Sequence, residues 1–310
     1  MPNIISQENT IISANESRFN SAYYSEPLSA FSSGWKDSEN LEALLDFIAP
    51  PVHVPRRFEF KRADNSEAFY SEQDDIRSTG SSFKQVEYSG TSIYEKTLNK
   101  GLTIRLDHDE IAEDNYEERY VSLLLQRLYR NELRRLIALL DASAHNTDVN
   151  MPHNGDACNP DGLVRTMLNT ATNNSGIRPN RIVFGESAWE SRLNSYAAQD
   201  THLSNRSLGF TLQDLAQHVM VEDIQILKAR YQSGLNTKNT IAGNAIYAFF
   251  AQNTATKDEP SNFKRFITPL GGSRFRVYKH EGPKYTDISV EHYSHLVLTS
   301  PLGLEKLTIA

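Results

Sequence analysis

YEERYVSLLLQRLYRNELRRLIALLDAS, residues 116–143, is the stretch on which the reading of the fold turns. Val121, Leu124, Leu125, Leu128, Tyr129, Leu133, Leu136 and Leu140 share one broad face when the chain advances by about 100° per residue. Arg127, Arg130 and Arg134 take the opposite face. No Gly or Pro interrupts the run, so the spacing predicts one helix from about Tyr116 to Ser143, about 40 Å long at about 1.5 Å per residue. Asp107, Asp109, Glu110, Glu113, Asp114, Glu117 and Glu118 precede or open it, and arginines fill its second half. That order suits the helix dipole. The helix is longer than most globular helices, and what flanks it decides what it supports.

Upstream, Arg56 to Leu106 reads as a long hairpin. Phe58 and Phe60 alternate with Arg57, Glu59 and Lys61, which is strand period. Val86, Tyr88, Leu102, Ile104 and Leu106 repeat it on the return. Between them SEQDDIRSTGSS, residues 71–82, is a polar loop. Such a hairpin has few large apolar positions and needs something outside itself to pack on. Further upstream, little is regular. Leu41, Leu44, Leu45 and Ile48 have helical spacing, with Ser38 as a candidate cap, until Pro50 and Pro51 end the turn. This segment is either a loose tail with one docked turn or an arm that lies on a neighbouring subunit.

Downstream, the NTDVNMPHNGDACNPDG stretch is rich in turns, and from Asp161 the texture is compact α/β. A short helix is expected around Leu163 to Leu168, with Asp161 as its cap. A buried strand follows at Arg181 to Phe184, then a helix at Glu186 to Ala198 with Trp189 and Leu193 inward. Thr211 caps another helix. Val219 to Leu227 and Ala245 to Gln252 read as strands joined by a polar loop, and Arg274 to His280 and Thr286 to Leu298 as strands before a short tail.

The whole chain has 310 residues, 39% of them hydrophobic, and a formal charge of −7. One cysteine, Cys158, excludes a disulfide framework and a multi-cysteine metal site. No apolar run is long enough to span a membrane, and MPNIISQENT lacks the features of a secretion signal. The acidic balance argues against a general nucleic-acid coat but leaves room for a local basic face.

Candidate chemistry is thin. Asp107-His108-Asp109-Glu110 cannot converge on one ion, because adjacent strand residues alternate faces. His145, Asp148, His153, Asp156 and Cys158 lack metal-ligand spacing, and Asp156 to Gly162 lacks the ligand register of a calcium loop. Gly185-Glu-Ser-Ala-Trp189 resembles a nucleophile elbow, but Trp189 stands where the second Gly belongs. Ser78 to Ser82 lacks the ending of a phosphate loop. Arg56, Arg57, Lys61 and Arg62 could meet phosphates, yet pairing with carboxylates of another subunit is the better reading. No catalytic, cofactor-binding or metal site emerges, so the chain is not read as an enzyme. A soluble α/β enzyme is the remote alternative.

The order of parts resembles the major capsid proteins of tailed bacteriophages, the Hong Kong 97-like fold that encapsulin shells share. LLDFIAPPVHVPRRFEF (44–60) is similar to the junction of N-terminal arm and first extended strand. VEYSGTSIYEKTLNKGLTIRLDHDEIAED (86–114) is similar to the return of the extended loop, and EERYVSLLLQRLYRNELRRLIALLDASA (117–144) to the spine helix. NRIVFGESAWESRL (180–193) resembles a strand and helix of the axial domain, and RFRVYKHEGPKYTDISVEHYSHLVLTSPLGLEKL (274–307) the closing peripheral strands.

The resemblance implies an α+β fold divided into an N-terminal arm (1–55), an extended β-hairpin loop (56–106), a peripheral domain (107–160 and 252–295) with the spine helix, and a compact α/β axial domain (161–251 and 296–310). It implies a structural subunit, without cofactor, that assembles into hexamers and pentamers of an icosahedral phage head around double-stranded DNA. An encapsulin-like nanocompartment is the alternative. Arg57, Phe58, Phe60, Phe69, Tyr70, Arg77, Phe83 and Lys84 become candidate inter-subunit contacts. Portal, scaffolding or decoration proteins become partners, with packaged DNA touched only weakly and non-specifically, and no membrane. Localisation would be the virion, after assembly in the host cytoplasm. Some relatives link a loop Lys covalently to an Asn. Lys84, Lys96 and Lys100 lie in the loop region, but no partner Asn or catalytic Glu is identifiable, so no link is expected.

Overall fold

The computed structural model describes residues 23–62, 76–82, 91–110, 115–154, 156–199, 201–253, 256–258 and 260–310. Two short helices lead, α1 (Glu26–Gly34) and α2 (Leu41–Ile48), then strands β1 (Pro51–His53), β2 (Arg57–Arg62), β3 (Thr91–Lys96) and β4 (Leu98–Asp107). The long helix α3 (Tyr116–Ser143) follows, then β5 (His145–Val149), α4 (Pro160–Ser175), β6 (Arg181–Gly185), α5 (Glu186–Gln199), α6 (His202–Leu208) and α7 (Leu212–Val219). The chain closes with β7 (Asp223–Leu227), β8 (Arg230–Gln232), β9 (Lys238–Thr240), β10 (Ala245–Phe249), β11 (Phe263–Thr268), β12 (Arg276–Glu281), β13 (Tyr285–Leu298) and β14 (Glu305–Ile309). No described helix is long and apolar enough to cross a membrane.

Two five-stranded sheets organise the described residues. In the first, β13 is the axis. It pairs with β4 from Tyr285 to Ser294, and with β12 and then β11 along its other edge. β1 adds in parallel to β11. The second sheet runs β5-β14-β10-β6-β7. Its centre is buried on both faces, as the unbroken burial of β6 and β10 shows. The period of two divides β10 cleanly. Ala245, Tyr247 and Phe249 join the core formed by α1, α2, α3 and the first sheet. Ile246 and Ala248 join the core under α4 and α7.

The long helix has the bounds that its periodicity predicts, and all eight residues of its apolar face are buried. Asn115 gives it no side-chain cap, so packing rather than capping holds its start. Capping acts elsewhere. Thr211 forms a full capping box with Asp214, Thr201 does the same with Ser204, and Asn159 accepts from the Gly162 N–H at 2.9 Å. At one position a glycine is required by space. A Cβ on Gly185 would lie 2.1 Å from the Gly243 carbonyl oxygen, so β6 can pass this loop only without a side chain.

Several expectations are corrected. Ser38 does not cap α2. Asn40 stands at the N-cap with φ 54° and no side-chain bond, while the Asp37 carboxylate accepts from the N–H groups of Glu39 and Glu42. Asp161 is not a cap either, since it lies inside α4, buried against Arg192 at 2.7 Å. On α5 the buried positions are Ala188, Arg192, Ser195 and Tyr196, not Leu193. The polar loop after β7 carries the β8–β9 ribbon. The supposed tail supplies β14, in the second sheet between β5 and β10. The turn-rich stretch opens as a strand, since Asn146 to Val149 lie on β5 with His145. The leading segment contains α1, capped by Ser25. It docks on its own chain, where Trp35 stacks on Tyr129 of α3 with ring centroids 6.1 Å apart.

Candidate interaction surface

The alternation of β2 sorts its side chains onto two faces. Phe58 and Phe60 point inward and are 6% and 1% exposed. Their rings meet Phe266 of β11 at 4.3 and 5.5 Å, and Val52 and Val54 complete the cluster. The hairpin therefore buries its root at home. The opposite face has no cover within the described residues. Arg57 lies across from Lys96, Glu59 from Tyr94 and Lys61 from Ser92, and all six are exposed. Tyr94 is 77% exposed in the middle of this ribbon. Its hydroxyl donates to the Glu59 carboxylate, which pushes the phenol above its usual range. A groove of 580 Å³ lies between the strands, lined by Arg57, Phe58, Glu59, Tyr94, Glu95 and Lys96. The Lys61 N–H, donating to Asp258 at 2.9 Å, ties the outgoing strand to the body. Beyond β3 the return strand leaves the hairpin, because Leu98 to Asp107 pairs with β13.

Of the residues expected at a subunit contact, Arg57 is on the open face and Arg77 is exposed. Phe58 and Phe60 already have partners within the chain. Phe69, Tyr70, Phe83 and Lys84 lie outside the described residues. Tyr94 was missed, although a tyrosine opposite the Phe58/Phe60 alternation was a readable signal.

A second feature ties the long helix to the first sheet. Glu132, on α3, is 1% exposed. It accepts from Lys100 Nζ of β4 at 2.8 Å and from the Ser294 hydroxyl of β13. His292 Nε2 of β13 lies 3.3 Å away, and Arg265 Nη1 of β11 is 3.7 Å from its other oxygen. Arg265 also donates to Asp46 of α2. Burial opposes the charge on Glu132, but His292, Lys100 and Arg265 together hold its carboxyl well below the usual range. Burial pushes Lys100 down, pushes His292 down, and raises Asp46 against the pull of Arg265. Two cations thus face two carboxylates around the buried imidazole. The cluster ties α2, α3, β4, β11 and β13 to one point. Glu132 also had a signal. It lies eleven residues, close to three turns, from Val121 and so falls on the apolar face.

The candidates for chemistry stay apart. His108 to Glu110 form an exposed 3-10 turn, with His108 Nε2 2.9 Å from the Thr286 hydroxyl. His145 pairs with Glu305 at 2.9 Å. Cys158 is a free thiol whose Sγ is 3.8 Å from the Asn150 carbonyl. Ser187 is inside α5. Among the described residues no group of three or more His, Cys, Asp or Glu side chains could hold a metal ion.

No protein-family model matches the sequence, and no curated protein matches it. Solved structures do match. A phage-related protein from Bordetella bronchiseptica RB50 is similar over 92% of this chain and 96% of its own, with a TM-score of 0.68 and 16% identity. The capsid of the cyanophage P-SCSP1u is similar over 86% and 88%, with a TM-score of 0.51 and 10% identity. The mature capsid of bacteriophage PhiM1 is similar over 85% and 86%, with a TM-score of 0.50 and 10% identity. The chain has the α+β fold of phage capsid proteins.

Proposed function

We propose, from a fold shared with capsid shells, that the chain is a structural shell subunit that associates with copies of itself. The observation that carries this reading is the β2–β3 ribbon. Its root is packed at home, yet its outer face presents Arg57, Glu59, Tyr94 and Lys96 to solvent. A stable subunit contact needs on the order of 800 Å² from each partner, with aromatic and arginine side chains at its centre. A projecting ribbon with Tyr94 and Arg57 on its open face suits that use.

In this reading the shell is an icosahedral phage head of hexamers and pentamers around double-stranded DNA, and the protein is a virion component without catalytic activity. Residues 1–55 act as arm and 56–106 as extended loop. Residues 107–160 with 252–295 form the peripheral domain, and 161–251 with 296–310 the axial domain. Portal, scaffolding or decoration proteins would be further partners. Arg77, Phe69, Tyr70, Phe83 and Lys84 belong to the same contact as the ribbon.

Negative-stain electron microscopy with sizing tests the reading directly. Closed shells of tens of subunits or more are expected, and a stable monomer or dimer across salt and concentration would overturn it. Deleting residues 71–82 should abolish shells while leaving the second sheet folded. Replacing His108 and Cys158 by Ala should leave assembly intact.

A further inference from the structure

We propose that the outward face of α3, together with the end of β7 and the β8 strand beside it, binds the phosphodiester backbone of duplex DNA. This helix carries five arginines and no lysine. Its carboxylates are Glu117 and Glu118 in the first turn, Asp141 in the last, and Glu132, which is buried on the opposite face. From residue 119 to residue 140 the exposed side therefore offers guanidinium groups with no acid of its own helix among them. An ordinary solvated helix interleaves the two signs, because opposite charges three or four residues apart stabilise it. Here that pattern is absent, in a chain whose net charge is −7.

Arg127 and Arg134 are exposed, seven residues apart and about 10 Å along the axis, on one side of the helix. Along a duplex one strand places a phosphate about every 3.4 Å, so the two meet phosphates about three steps apart. Arg130 lies between them and is paired with Glu39 of the leading segment. The Arg134 guanidinium lies 4.0 Å over the ring of Tyr231 on β8. That stacking holds its plane and leaves the N–H edges free to face an anion. Lys228, at the end of β7, is exposed and extends the positive face toward the groove between α2 and β7. No carboxylate lies within ion-pair distance of Arg127, Arg134 or Lys228 among the described residues. Nothing on this face reads base edges, so binding should be independent of sequence and set by salt.

The choice of duplex DNA as partner rests on the shell reading, in which the subunits enclose it. The test separates the two. Binding of a fluorescent duplex by the unassembled full chain is measured by anisotropy over a salt series, with assembly followed by electron microscopy in parallel. Arg127→Gln with Arg134→Gln should weaken binding equally for duplexes of different sequence. It should also lower the slope of log K against log salt by about 2, near 0.9 per lost contact. The Arg127→Lys with Arg134→Lys variant should keep most of the slope. Lys257→Gln with Lys284→Gln, two exposed cations elsewhere with the same charge change, should leave it unaltered. An unchanged slope in the arginine variant, or an equal fall in the Lys257/Lys284 control, overturns the proposal. So does a defect confined to shell formation, which would assign the face to an acidic surface of a second copy. Loss of binding by the arginine variant in a chain that never forms shells would leave this proposal standing and remove the shell reading.

Discussion

Glu132 shows how a single residue can organise a fold without being a net source of stability. Taking Glu132, Lys100 and Arg265 out of water is costly, and the attraction among them and the half-buried Asp46 offsets that cost only with all partners present. Glu132→Gln should therefore destabilise the unassembled subunit by about 3–5 kcal/mol in chemical denaturation, since it strands buried cations. Glu132→Leu combined with Lys100→Met should recover most of the loss, because the stranded charge leaves with its partner. The pH response follows from the directions of the shifts. Glu132 is held below its ordinary value, so its contribution is present above the unfolded carboxylate pKa and is lost as pH falls through the lower folded one. Burial holds the His292 imidazole below its ordinary value, so stability is also lost as pH falls through 6.5, where the unfolded imidazole takes up its proton before the folded one. Replacing His292 by Gln should flatten the fall of stability with pH just below the ordinary imidazole pKa. An unaltered slope would mean that folding does not shift the imidazole.

At the scale of elements, the two faces of the β2–β3 ribbon should behave differently. Phe60→Ala opens a cavity against Phe58 and Phe266 and should cost about 3–5 kcal/mol of subunit stability. Tyr94→Ala should leave that stability within about 0.5 kcal/mol, while raising the protein concentration at which light scattering reports assembly. A Tyr94 variant that assembles normally would remove Tyr94, and apolar burial on this face, from the contact. Both β2 and α3 were legible because each keeps one period over its full length with no breaker. β11 was not. It reads FKRFIT, and its Lys264 and Arg265 are fully buried, so charge hides a strand whose two middle cations find partners only in three dimensions. Lys264 Nζ donates to the carbonyls of Thr256 and Lys257, and Arg265 reaches Asp46, far away in sequence. The Ser-rich α1 was hidden for a related reason, since its docking depends on Val277, whose N–H bonds to the Ser29 hydroxyl at 3.0 Å. The open face of α3 was legible as an arginine row. Its meaning was not, because Tyr231 and Lys228 reach it only through the fold.

The whole molecule sharpens what its composition implies. The few large apolar positions of the hairpin imply that it lacks cover of its own, yet α1, α2 and the hairpin root are covered by their own body. What needs a neighbour is narrower, an amphipathic ribbon face on a subunit of charge −7. Identical acidic bodies repel over a Debye length of about 30 Å at 0.01 M salt and about 10 Å at 0.1 M. If apolar and aromatic burial holds the contact, screening removes the repulsion without weakening the attraction. Raising sodium chloride from about 0.05 to about 0.5 M should then lower the concentration at which shells appear in light scattering, while duplex binding by α3 weakens over the same range. The two salt responses have opposite signs because one surface meets its own like charge and the other meets phosphate. An assembly threshold that rises with salt would instead assign the contact to complementary ion pairs, with Arg57 and Lys96 facing carboxylates of the next copy. In that case Tyr94→Ala would have little effect and Arg57→Gln a large one.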